Sequence, residues 1–315
     1  MSATVEHDMW AAWPALRVAT PALELVVVAG LGARIVSLRD RRRGREWLLG
    51  GAVPGEAEAR AWAAQDAPFG GRESFGWDEC LPTVAVCADP REPDGPPLRD
   101  HGDQWAREAS VATDATSGSV EVTWAGARWP YRFGRRLSCP HDDVVLAEYT
   151  LVNQDDRPIP FLWSQHAVLA LEAGSRLELP GVEHVRQTWQ HGIDLREQPV
   201  WPLAERQDGR TIDLAAVRSG EGWAAKLYAV PPGPVAAVAP DGARLSFEWD
   251  RDVTPALGIW LAYGGWPADG MPVEQVALEP TTSSDDHLEG ALAGGRARWL
   301  AGGESARWWV RLTVG

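Results

Sequence analysis

The chain has little with which to cross-link itself, hold a metal or grip a polyanion. Its 315 residues include three cysteines, Cys80, Cys87 and Cys139, which cannot pair completely and show no CxxC spacing, so a reducing compartment is expected rather than a disulfide framework. Positive charge is scarce: 30 Lys and Arg stand against 44 Asp and Glu, a net charge of −14, whereas phosphate backbones and anionic bilayers are bound by clustered cations. Nucleic acid and membrane surfaces are therefore not expected partners, and a small uncharged ligand fits better. Lys226 is the only lysine; in the strand-like AAKLYAV it reads as an edge residue with a snorkelling head. No apolar run approaches the ~20 residues of a spanning helix, the longest candidate, near Leu25, being broken by Glu24 and glycines. A basic flank followed by an apolar stretch is missing at the N-terminus, so no secretory signal is expected and the chain reads as cytoplasmic. Repeats, low-complexity tracts and linkers are absent too, which leaves residues 1–315 as one domain, of a size large β-sandwiches reach.

What is abundant is tryptophan, eighteen residues against four tyrosines and five phenylalanines. An indole can fill a core or offer a flat face to the C–H side of a sugar ring. Hydrophobic residues make up 45% of the chain, ample for a core. They fall in short runs bounded by turn residues: Leu23 to Val28 and Arg34 to Leu38 around Gly30-Leu31-Gly32, then Ser119 to Ala125, Tyr131 to Cys139 and Val144 to Val152. Further runs span Ser175 to Leu179, His184 to Trp189, Ala224 to Val230, Val235 to Ala239, Ala243 to Trp249, Leu257 to Tyr263 and Ala306 to Val314. This is the pattern of antiparallel strands and hairpins, and it lacks the β/α alternation of a parallel sheet. Leu245, Phe247 and Trp249 alternate with Ser246 and Glu248, so one face of that strand is expected to be buried. The first glycine turn is no dinucleotide fingerprint, because Ile35 stands where a third glycine belongs and a strand follows. Helical signals are few: Glu56 to Gln65, and His287 to Ala293, where Ser283 and Asp286 have capping-box spacing and Gly294 supplies a stop.

Four stretches gather polar chemistry. FLWSQHAVLAL, Phe161 to Leu171, sets His166 inside an apolar run; alone, this suits a backbone-bonded core histidine as well as a functional one. FGGRESFGWDECLP, Phe69 to Pro82, combines glycines with Arg72, Glu73, Asp78 and Glu79, which could contact a ligand or pair with surface arginines. Arg99 to Trp105 places His101 near an indole. Gln275 to Glu279, a strand closed by Pro280, puts a carboxylate at a strand end beside the polar loop TTSSDDH, as a base or as a rim charge.

In order, GLGARIVSLRDRRRGREWL, GWDECLPT (Gly76 to Thr83), DHGDQW (Asp100 to Trp105), NQDDRPIPFLWSQHAVLAL from Asn153, LGIWLAYGGWP (Leu257 to Pro267) and ALEPTTSSDDHL from Ala277 resemble the aldose 1-epimerase family of the galactose mutarotase-like superfamily, as in a divergent member. The set covers nearly the whole chain. The resemblance implies an all-β fold, a large antiparallel β-sandwich with few short helices and an open concave sugar site. It assigns His166 as general acid, Glu279 as general base and His101 as a substrate-binding histidine. It also proposes Arg72 as the sugar-binding arginine, in a motif that differs from the family's, with Asp78 or Asp194 for the sugar-binding aspartate. Trp77, Trp105, Trp163, Trp260 and Trp266 lie near the motifs and could stack on a ring or pack in the core. Ala167 and Val168 stand where a proline and an aromatic usually follow the acid histidine.

The implied chemistry interconverts α and β anomers of a free aldose: a carboxylate takes the C1 hydroxyl proton while an imidazolium protonates the ring oxygen, with no metal or cofactor required. Two other functions share the fold: a carbohydrate-binding or sensing protein without catalysis, and a hexose-phosphate epimerase, which would need an anion pocket from residues such as Arg72 and Arg99. Oligomeric state is left open.

Overall fold

A computed structural model describes residues 3–64, 67–268 and 271–315. Two antiparallel sheets carry the chain, one of eleven strands and one of eight, with two short two-stranded ribbons beside them. Among the described residues there are two α-helices, Glu56–Trp62 and Leu288–Ala293. No helix is long and apolar enough to cross a membrane. The inner faces of both sheets meet in one apolar core, to which Leu38, Trp77 and Leu278 contribute from the larger sheet and Phe133, Tyr149, Phe247 and Val310 from the smaller. This is a β-sandwich. Leu245, Phe247 and Trp249 point inward while Ser246 and Glu248 are only half-buried, as the alternation requires.

From its fourth strand to one edge the larger sheet runs Arg34–Asp40, Trp77–Cys80, Ser164–Leu169, Glu274–Thr281, Ala256–Tyr263, Trp223–Ala229 and Arg186–His191, each hydrogen-bonded to the next. These seven strands come from sequence positions as distant as 34 and 281, so residues far apart in the chain are placed side by side. Leu23–Val28 and Arg34–Asp40 pair through a 3₁₀ turn at Ala29–Leu31 that ends on Gly32 in the left-handed region (φ 68°).

Several boundaries differ from expectation. The Glu274–Thr281 strand does not stop at Pro280 but stays in register with its neighbour, Leu257 opposite Pro280 and Ala256 opposite Thr281. Glu279 is therefore inside the sheet rather than at its end. The first helix ends at Trp62, and Gln65, the expected end, lies outside the described residues. The second helix has no side-chain cap, because the Ser283 hydroxyl donates instead to Asp285, 3.0 Å away.

Candidate active site

The register of the larger sheet builds a line of polar residues across one face. Trp77–Cys80 sets Asp78 opposite His166. Ser164 opposite Thr281 and Val168 opposite Ala277 then put His166 across from Glu279, two residues in from each end. Glu279 faces Gly258, which faces Tyr228. A second line, Trp260–Lys226–Trp189, lies alongside. Directly opposed residues on an antiparallel pair hold their Cβ atoms ~4.5–5.5 Å apart, so His166 and Glu279 stand side by side and face the same space above the sheet.

That space is a cleft of about 330 Å³ lined by His166, Glu279, His101, Asp100, Lys226 and Phe69, with Trp189, Trp260 and Trp266 as an aromatic wall. His166 is 4% exposed, and its Nδ1 lies 2.7 Å from Asp78 Oδ1, which leaves Nε2 as the ring nitrogen available to a ligand. Asp78 is itself paired with the buried Arg34 at 2.9 Å. Burial would push the Asp78 carboxyl up, but Arg34 and then His166 outweigh it and hold the group below its ordinary value of 3.8. Arg34 also donates to the carbonyls of Glu73 (2.9 Å) and Trp105 (3.2 Å), tying the two loops at the cleft to the strand beneath.

Glu279 is 1% exposed. Its Oε2 accepts from Lys226 Nζ, and its Oε1 is buried without a partner among the described residues. His101 reaches the cleft from a left-handed turn (φ 58°), its ring stacked on Phe69 with centroids 3.6 Å apart and 4.9 Å from the His166 ring. Asp100 lies 2.9 Å from its Nδ1.

The expected site residues thus separate. His166, Glu279 and His101 come together in one cleft, with Trp260 and Trp266 in its wall. Asp78 is fully buried behind His166 and touches the site only through that imidazole. Arg72 is not among the lining residues: its side chain is 61% exposed and pairs with Glu58 at 2.8 Å. Trp105 is buried and donates to the Asp100 carbonyl at 3.0 Å, supporting Phe69 from beneath rather than facing a ligand. Trp77 and Trp163 point to the opposite face of the sheet, where both donate to Glu79, and Asp194 is an exposed residue away from the cleft. Asp78 and Glu79 do pair with arginines, but with the buried Arg34 and Arg135 rather than at the surface. Lys226 is no edge residue: it is 7% exposed and enters the cleft between two strands of the sheet. Its being the sole lysine was the signal that could have marked it. Arg34 stood within the first family-like stretch, GLGARIVSLRD, but nothing there set it apart from the arginines that follow.

No three His, Cys, Asp or Glu side chains among the described residues are grouped as metal ligands would be. A larger hollow of about 550 Å³ lies on the smaller sheet, but it gathers no histidine, and its Arg136 is paired with Glu148 at 2.9 Å.

No family model matches the sequence, and no curated protein does. Solved structures do match over almost the whole length. A galactose mutarotase-like protein from Clostridium acetobutylicum aligns with 100% of this chain and 99% of its own at 12% identity and a TM-score of 0.70. The chain has the galactose mutarotase-like fold. A galactose mutarotase related enzyme from Lactobacillus acidophilus covers 96% of this chain and 97% of its own at 12% identity and a TM-score of 0.61. For a GalM/aldose epimerase homologue from C. elegans, these values are 93% and 96% at 14% identity and 0.54. On this galactose mutarotase-like sandwich, the cleft is a hollow on the open face of the larger sheet, while Trp77 and Leu278 beneath it face the core.

Proposed function

We propose that the protein is an aldose 1-epimerase-like isomerase that interconverts the α and β anomers of a free sugar. The observation that carries this is the opposition of Glu279, with one buried oxygen lacking a partner among the described residues, to His166, which lines the same cleft with its Nδ1 turned to Asp78. Glu279 Oε1 takes the proton of the C1 hydroxyl. The C1–ring oxygen bond breaks as C1=O forms, and the ring oxygen takes a proton from His166 Nε2. Rotation about C1–C2 presents the other face of the aldehyde. Closure reverses both transfers, so neither residue is changed after a cycle. Asp78 supports the imidazolium, His101 donates to a sugar hydroxyl, and the tryptophan wall stacks on the C–H face of the ring.

The charge in the cleft favours a sugar without phosphate. Lys226 is the only Lys or Arg among its lining residues and is committed to Glu279. Arg72 pairs with Glu58, and Arg99 donates to the Trp62 carbonyl. Polarimetry or NMR exchange on a panel of free aldoses and hexose 6-phosphates tests the reading. We expect exchange with free aldoses, reduced ~10²- to 10⁴-fold in each of His166→Asn and Glu279→Gln. Full activity in both variants would refute the site. Absence of exchange by the wild type, with sugars still raising its melting temperature, would make it a binding protein.

A further inference from the structure

The one lysine of the chain enters the cleft, and its surroundings are built for it. In the sheet Lys226 is flanked by Trp189 on one neighbouring strand and Trp260 on the other, and the two indoles lie 5.7 Å apart. Its ammonium reaches past the Ala256–Tyr263 strand to Glu279 on the strand beyond. The residue at the crossing point is Gly258. A Cβ there would stand 3.0 Å from Glu279 Oε2 and 3.3 Å from Lys226 Nζ, so the absence of a side chain opens the path for the pair. A compact ammonium suits this gap, whereas a planar guanidinium would need more width.

The contact divides the labour of the carboxylate. Oε2 is taken by Lys226, and Oε1 is left as the oxygen for a ligand. Without the lysine a carboxylate 1% exposed would be both free to turn and deprived of its counter-charge. The other groups on this face do not replace it: His166 is engaged by Asp78, Tyr228 donates to Asp286 at 2.7 Å, and His101 is engaged by Asp100.

We infer that Lys226 is a positioning residue for Glu279, orienting the carboxylate so that Oε1 alone meets the sugar hydroxyl. The inference rests on the proposed role of Glu279. Its test is the split between kcat and KM of anomer exchange for wild type, Lys226→Met, Lys226→Arg and Gly258→Ala. Lys226→Met is expected to lower kcat ~10- to 100-fold with KM changed by less than ~3-fold, because the sugar still binds while the carboxylate is no longer aimed. Gly258→Ala keeps both charges but wedges them apart, so kcat falls in the same way by less, and this variant carries the test if Lys226→Met does not fold. Lys226→Arg, which keeps a cation at this position, restores part of kcat. A kcat unchanged in both Lys226→Met and Gly258→Ala, or a loss confined to KM, would overturn the inference and leave the proposed function standing. No exchange by the wild type would sink both.

Discussion

In the proposed acid–base cycle, Asp78 decides which nitrogen of His166 faces the sugar. With its Oδ1 2.7 Å from Nδ1, the carboxylate accepts the Nδ1 proton and leaves Nε2 to face the ligand. Asp78→Asn cannot reproduce this: if the amide oxygen accepts from His166, the amide nitrogen meets Arg34, and if it flips, it meets the ring. We expect this variant to lose ~10²- to 10⁴-fold in exchange rate, and ~3–5 kcal/mol of stability at neutral pH because Arg34 is left as an unpaired buried charge. The pH dependence has a definite sign. The folded-state carboxyl lies below its ordinary 3.8, so its contribution is present above that value and is lost as the pH falls through the folded-state value. Urea midpoints of wild type and Asp78→Asn should therefore be well separated at neutral pH and converge in acid; a separation unchanged in acid would remove Asp78 from this role. At this scale the sequence was only partly legible. His166, His101 and Glu279 stood in quotable motifs. Lys226 and Arg34 matter through partners 53 and 44 positions away, a relation no local pattern carries.

One turn controls where the second histidine points. His101 and Gly102 are both left-handed, with φ of 58° and 72°. The glycine is required twice over, because a Cβ on Gly102 would lie 2.0 Å from the Leu81 carbonyl oxygen. Gly102→Ala must push this loop off the strand below, and His101 rides on it. The expected result is a stability loss of ~1–3 kcal/mol and a KM raised more than kcat is lowered, measured by thermal melting and by exchange kinetics. A variant with wild-type KM would show that the His101 turn is not tied to the sugar. Strands were the most readable elements, since alternation and turn residues mark them directly, as in Leu245, Phe247 and Trp249. Their ends were less so. Pro280 looked like a terminator, yet the sheet tolerates it opposite Leu257, and the apparent cap at Ser283 is spent on Asp285.

The sandwich is joined at its centre by a polar knot that lies directly behind the cleft. Because successive residues of a strand face opposite ways, Asp78 looks to the site and Glu79 to the core. Glu79 accepts from Arg135 at 2.8 Å and Tyr149 at 3.1 Å, both on the smaller sheet, and from Trp77 at 3.1 Å and Trp163 at 3.0 Å. Burial pushes its carboxyl up to about 7, with Arg135 and then Tyr149 opposing the rise. Arg135→Met leaves Glu79 without its cation; a carboxyl already pushed up to about 7 then takes up a proton near neutral pH, so the variant should lose ~1–3 kcal/mol there through its unmade hydrogen bonds and more as the pH rises. Adding Glu79→Leu should return much of the loss, since apolar side chains of similar volume often replace a buried ion pair at little cost. Linkage gives a second signature. A carboxyl whose folded value lies above the ordinary 4.5 stabilises the fold fully below that pH, and the contribution is lost as the pH rises through about 7. Wild-type urea midpoints should fall across this window, and the Glu79→Leu/Arg135→Met double variant should lack that component of the slope. If the double variant is no more stable than Arg135→Met alone, the two sheets are held by their apolar contact and the knot serves instead to fix the strand on which Asp78 meets His166.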